Sequence, residues 1–227
     1  MRCVAILAFA SLSCVAQADV VDLSYLGKGA GINARVTSPI GTSDLFAGQL
    51  SFQFANGTGV LAGSSGQHFT FCPDLYQVVS SSSNQYTLTD LQNMPVSSGA
   101  APMGAAKAAA LNNLFAQFGT EAVASGAAAE ASGAFQLAIW EIVYESSESG
   151  FDLTSGAFRA TNLDNSPLSS AVLLAAQQFA IASSTEADGV SIVGLANPNQ
   201  QDQLWVPTPG ALALISMGGL IAGRRRR

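Results

Sequence analysis

The sequence predicts an α+β fold, a β-sandwich or barrel-like domain with an inserted helical region. Three observations lead there. From Asp19 to about Leu88 apolar and polar residues alternate in short runs broken by glycine turns; from Met103 to Ser183 the chain is alanine-rich, with apolar residues at helical spacing; and a strand pattern returns at Val190 to Leu195. With 227 residues the chain suffices for one domain with a sizeable core plus short ends, and it carries no repeat at the periods of solenoids or propellers.

Val20 to Leu26 reads as the first strand, Gly27 to Gly31 as a turn and Ile32 to Thr37 as the second strand. Leu50 to Phe54 alternates and runs into Asn56-Gly57, a tight-turn signal. The Asn56-Gly57-Thr58 glycosylation sequon is therefore read as a turn. His68 to Cys72 alternates as well, which puts Cys72 on one face with Thr70 and His68, and Phe69 and Phe71 on the other. Pro73 ends that strand because it has no N–H to donate. The serine run Ser80 to Ser83 and the stretch Asn93 to Pro102 break the pattern. Three helices are then predicted: Met103 to Phe118, stopped by Gly119; Ala127 to Glu145; and Ser169 to Ser183.

The two ends differ in kind from this middle. Residues 1–18 have a basic start at Arg2, an apolar run and Ala16-Gln17-Ala18, the pattern of a signal peptide cleaved before Asp19. Lipidation at Cys14 is disfavoured because the leucine of Ser11-Leu12-Ser13 falls one position too late. A domain over 19–196 and a polar spacer over 197–206 follow. The segment 207–227 opens with Pro207-Thr208-Pro209, continues as an apolar run to Gly223 and closes with Arg224, Arg225, Arg226 and Arg227. As a helix that run reaches about 21 Å, a short membrane anchor with its arginines facing the cytoplasm. This tripartite tail resembles the PEP-CTERM sorting signal of Gram-negative, exopolysaccharide-producing bacteria, although Thr208 stands where that family most often has Glu. The resemblance implies an exosortase-type sorting protease as a partner, a transmembrane helix, and residence at the cell envelope or secretion after processing.

Without both ends the chain keeps four Lys and Arg against fifteen acids, a net charge of −11. No basic field remains to hold a nucleic acid or, by charge alone, an acidic polysaccharide. Only Cys72 survives of the three cysteines. An unpaired cysteine in an oxidising compartment is a buried thiol, an intermolecular bridge or a site of chemistry.

Phe71-Cys72-Pro73-Asp74 and Phe135-Gln136-Leu137-Ala138-Ile139-Trp140 stand out from this background. An amide such as that of Gln136, set in so apolar a stretch, needs hydrogen-bond partners. Together the two segments resemble the thioester domains of bacterial surface adhesins, in which a Cys is joined to the Gln of a Thr-Gln-x-Ala-Ile-Trp motif. Phe135 replaces that threonine, and Pro73 replaces a β-branched residue. The resemblance implies a thioester between Cys72 and Gln136, with Asp74, Ala138 and Trp140 in support. Such a domain couples once to an amine on a surface or matrix molecule, a protein lysine first among them, so it is an adhesion module and not an enzyme, and no cofactor is expected. The alternative is a structural envelope or biofilm-matrix protein in which Cys72 and Gln136 merely pack. A Cys hydrolase using His68 is disfavoured, because an extended strand separates the two by about 13 Å, and His68 is read as a surface histidine. Trp140 and Tyr144 read as core, and Glu141, Glu145 and Glu148 as a solvated helix face.

Overall fold

The computed structural model describes residues 18–96, 101–145, 151–189 and 192–207. Within them lie seven strands, β1 (Val20–Ser38), β2 (Gly41–Ala55), β3 (Gly66–Thr70), β4 (Asn84–Thr89), β5 (Arg159–Thr161), β6 (Val193–Ala196) and β7 (Gln203–Trp205), and three helices, α1 (Ala105–Ala122), α2 (Ala129–Tyr144) and α3 (Ser170–Ala182). Every strand pairing is antiparallel. The sheet order is β3-β2-β1-β4-β6-β7, with β5 on the far end of β1. Phe71, just past β3, bridges to Leu204 in β7 through Phe71 N–H to Leu204 O at 3.1 Å and Leu204 N–H to Phe71 O at 2.7 Å. That bridge joins the two ends of the order, so the sheet curls into a nearly closed barrel.

β1 is the spine of this sheet. It pairs with β2 along its length, with β4 at Val20–Leu23 and with β5 at Arg35–Thr37. The expected turn at Gly27 to Gly31 is instead a bend inside one strand, marked by register shifts at Tyr25/Gly27 and Lys28/Gly31. Glycine supplies the close approach: a Cβ on Gly31 would stand 2.4 Å from Ala47 O, and one on Gly48 2.3 Å from Ala30 O. A real turn follows β2, where Asn56 takes a left-handed φ of 54°.

α1 does not stop at Gly119. Gln49 Nε2 donates to Ala122 O at 2.6 Å and to Ala124 O at 2.8 Å, satisfying terminal carbonyls and carrying the helix one turn further. α3 starts as expected, with Ser169 Oγ accepting from Val172 N–H. The strands β4, β5 and β7 are additions to the predicted set. β7 lies in the stretch expected as a polar spacer: Asp202, Gln203, Leu204 and Trp205 are all buried, and the sheet continues to Trp205. Gln203 is held inside because its Oε1 accepts from Thr70 Oγ1 and its Nε2 donates to Gln201 O.

α2 fills the centre. Every residue from Ser132 to Glu145 is buried, packed on β1 and β2 on one side and on α1 and α3 on the other. None of the described helices is long and apolar enough to cross a membrane, and the expected sorting helix and signal peptide lie outside the described residues.

Contact between α2 and β1 is tight at Gly133, where an added Cβ would meet Ile32 Cγ1 at 2.6 Å. Gly133→Val is expected to lower stability by about 1–3 kcal/mol through overpacking, read as a shifted denaturant midpoint with unchanged slope.

Candidate functional site

Two local features bring the site together. The bridge to Leu204 fixes Phe71 at the barrel seam, and Pro73 turns the chain away from the sheet just beyond. This leaves Cys72 pointing at the middle of α2. Cys72 N–H donates to Gln136 Oε1 at 3.1 Å, Gln136 Nε2 donates to Cys72 O at 2.8 Å, and Cys72 Sγ lies 3.7 Å from Gln136 Oε1. With a C=O bond of about 1.2 Å, the sulfur is no more than about 5 Å from the carboxamide carbon. Cys72 is 3 % exposed and Gln136 0 %. Thus the two residues singled out in the sequence, 64 positions apart, meet in one buried pair.

Gln136 is one of three fully enclosed glutamines among the described residues. Gln49 ties the bend of β1, through Ala30 N–H, to the end of α1, and Gln203 ties Thr70 to its own strand. Both of those amides bond groups with no reactive chemistry. Gln136 alone of the three faces a thiol.

Burial pushes the Cys72 thiol well up, and the charge of Asp74 pushes it further, against the smaller opposing pull of the Trp140 side chain and the Cys72 backbone. No cation among the described residues lowers it. The thiol is therefore protonated near neutral pH, and its reactivity must come from placement.

Asp74 acts as both a turn residue and a clamp. Its Oδ1 accepts from Gln77 N–H at 3.1 Å and its Oδ2 from Asp202 N–H at 2.7 Å, so it ties the loop after Cys72 to the segment leading into β7. Burial raises its pKa to about 6, while the N–H groups of Asp202, Gln77 and Tyr76 pull it down. Asp202, buried beside it, is raised to about 7, by burial first and the Asp74 charge last. Tyr144 is core, as expected, but also polar glue: its hydroxyl accepts from Leu75 N–H at 2.9 Å and donates to Val96 O at 2.5 Å. Trp140 is buried one turn beyond Gln136. Ala138 is buried too, but about 200° round the helix from Gln136, so it packs without lining the pair.

Two expectations are corrected. Glu141 and Glu145 are buried, not a solvated face, because the loop ahead of β5 folds over them: Glu141 Oε1 accepts from Asp152 N–H at 2.8 Å, and Glu145 Oε2 accepts from Ala157 N–H at 2.8 Å and Phe158 N–H at 3.0 Å. Glu148 lies outside the described residues. His68 is no surface histidine either: half-buried, its ring packs edge-on against Phe54 at 4.7 Å and Trp205 at 5.4 Å, and burial lowers its pKa. Its Nε2 faces Ser65 O at 3.2 Å, so its polar contact is with its own loop. Of the sorting residues, Pro207 is the last one described, and Thr208, Pro209, Arg224, Arg225, Arg226 and Arg227 lie outside.

Cavities of about 420 and 360 Å³ open elsewhere, the first beside Leu88 and Ile192 and the second beside Arg35 and Arg159; neither is lined by Cys72 or Gln136. No protein-family model matches the chain, and no curated protein or solved structure matches it either.

The buried acids set a pH dependence. Asp74, Asp202 and Glu141, the last raised to about 7 mainly by burial, all prefer the neutral form when folded. Their stabilisation is complete below the unfolded carboxyl range near 4 and is lost as pH rises through 6 to 7. The melting temperature is expected to be higher at pH 5 than at pH 7.5, and Asp202→Asn to flatten that slope, in thermal melts across the range.

Proposed function

We propose that this protein is an exported adhesion module in which Cys72 and Gln136 form an internal thioester that couples once to an amine. The observation that carries the reading is the paired hydrogen bond between the Gln136 carboxamide and the Cys72 backbone, with Sγ beside the carbonyl.

The chemistry follows from that placement. Cys72 N–H polarises the Gln136 carbonyl and stays in place to hold the oxyanion when sulfur adds to the carbon. The bond from Nε2 to Cys72 O fixes the plane of the amide. Sulfur replaces nitrogen, the thiol proton goes to the departing group, and ammonia leaves. Later an amine, that of a protein lysine, attacks the same carbon; its nitrogen forms an amide and Cys72 regains its proton as a thiol. One coupling consumes the site, so the protein is not an enzyme and the scheme uses no cofactor.

Delivery to the envelope belongs to the same reading. The signal peptide of residues 1–18 exports the chain of a Gram-negative cell, and an exosortase-type protease acts at the tail from Pro207, whose helix holds the protein in the membrane until it is cut. The sheet ends at Trp205, two residues before that tail, which supports a folded domain hung directly from its sorting signal.

A second reading, a structural envelope or matrix protein without a thioester, draws on one observation. Gln49 and Gln203 show that this fold also buries glutamines for purely structural work. Intact mass separates the two. The purified, folded protein is expected about 17 Da light from loss of ammonia, with methylamine converting it to an adduct at Gln136. Cys72→Ala is expected to abolish deficit and adduct while the protein still folds. A protein of full mass, inert to methylamine, or a collapsed Cys72→Ala variant favours the structural reading.

A further inference from the structure

The face of α2 that carries Gln136 carries another polar group with no use in the fold. Trp140 is one turn on and 1 % exposed, and its indole N–H is buried without a hydrogen-bond partner. A buried donor left unpaired is costly, so it needs a reason. Its place on the helix puts it near the Cys72 sulfur: Gln136, one turn back on the same face, has that sulfur 3.7 Å from its Oε1, and the indole acts on the thiol in the direction that favours the thiolate.

The sulfur has little else to turn to. Its own N–H is engaged with Gln136 Oε1, and the charge that bears on it, Asp74, opposes a negative sulfur. Resting on the thioester reading, we propose that the Trp140 indole N–H is the hydrogen-bond donor to the Cys72 sulfur as it leaves the Gln136 carbonyl. When an amine adds to that carbon, the C–N bond forms, the C–S bond breaks and its electron pair goes to sulfur. Trp140 N–H holds that charge until the amine's surplus proton neutralises it to a thiol. A neutral thiol or thioester sulfur is a weak acceptor and a thiolate a strong one, so the same N–H is unpartnered at rest and bonded in the transition state. An interaction made chiefly in the transition state is the kind that accelerates the step.

Two tryptophans, Trp140 and Trp205, make the test clean. In ¹⁵N-labelled protein purified from cells expressing the full chain, the Trp140 indole N–H resonance is expected to move when methylamine opens the thioester, and again in Cys72→Ala, while that of Trp205 stays. In Trp140→Phe, the fraction carrying the mass deficit is expected to open about 10- to 100-fold more slowly, the loss of one hydrogen bond to a charged acceptor. A folded Trp140→Phe that opens at the wild-type rate overturns the inference. So does a Trp140 resonance unmoved by both opening and Cys72→Ala, even if the variant is slow or unstable, since packing alone would then explain it. Should Trp140→Phe fail to fold, the resonances of the native protein decide. A wild-type protein of full mass overturns the thioester itself and this inference with it, a failure read from mass alone.

Discussion

The hydrogen-bonded pairing of the Gln136 amide with the Cys72 backbone is the constraint on which the rest of the structure turns. Because α2 is enclosed from Ser132 to its end, most of the polar side chains there draw their partners from other elements. Gln136 takes the N–H and C=O of Cys72, Tyr144 takes Leu75 N–H and Val96 O, Glu141 takes Asp152 N–H, and Glu145 takes the N–H groups of Ala157 and Phe158. α2 thus tethers the irregular segments on both sides of the barrel by their backbones. Breaking the Gln136 tether leaves a buried N–H and a buried C=O without partners and frees the segment that closes the seam at Leu204.

Among the described residues, this interior buries carboxylates but no lysine or arginine. Asp74, Asp202 and Glu141 rise toward neutrality because no cation compensates them. The same shortage governs Cys72: a positive group would lower its pKa and give a reactive thiolate, whereas Asp74 does the reverse. A nucleophile built for repeated turnover needs a populated thiolate. One that reacts once, with a carbonyl held against it, does not, and this is all the proposed thioester requires.

Much of this was legible in the sequence. The three helices are local in origin and fell close to their predicted bounds, and Cys72 and Gln136 were singled out because each was chemically odd for its surroundings. What escaped was decided by distant partners. Gly27 to Gly31 has the composition of a turn, and only its facing strand, through Gly48, makes it a bend. The i, i+4, i+7 spacing of Glu141, Glu145 and Glu148 is that of a solvated face. Residues 152–158 reverse it by offering their N–H groups to the first two. Gln49 looks like one more strand residue until α1 ends beside it, and β7 can bury Gln203 because Thr70, well over a hundred positions earlier, donates to its Oε1. The seam at Phe71 and Leu204 is likewise invisible locally, yet it aims Cys72.

Burial of the pair bears on what the proposed thioester has to survive. A thioester exposed to water is lost to hydrolysis, and one that waits for its amine has to outlast the wait. A sulfur 3 % exposed and a carbonyl fully enclosed favour lifetime over speed. The raised pKa of the thiol works in the same direction, because a poor leaving group resists water as well as amines. Selectivity then rests on what happens at the moment of attack. Water and amine face the same carbon, but an amine is the stronger nucleophile, and any group that stabilises the departing sulfur shortens the time for which the tetrahedral adduct can revert. Shielding at rest, with stabilisation reserved for the transition state, is how a bond can be both durable and reactive.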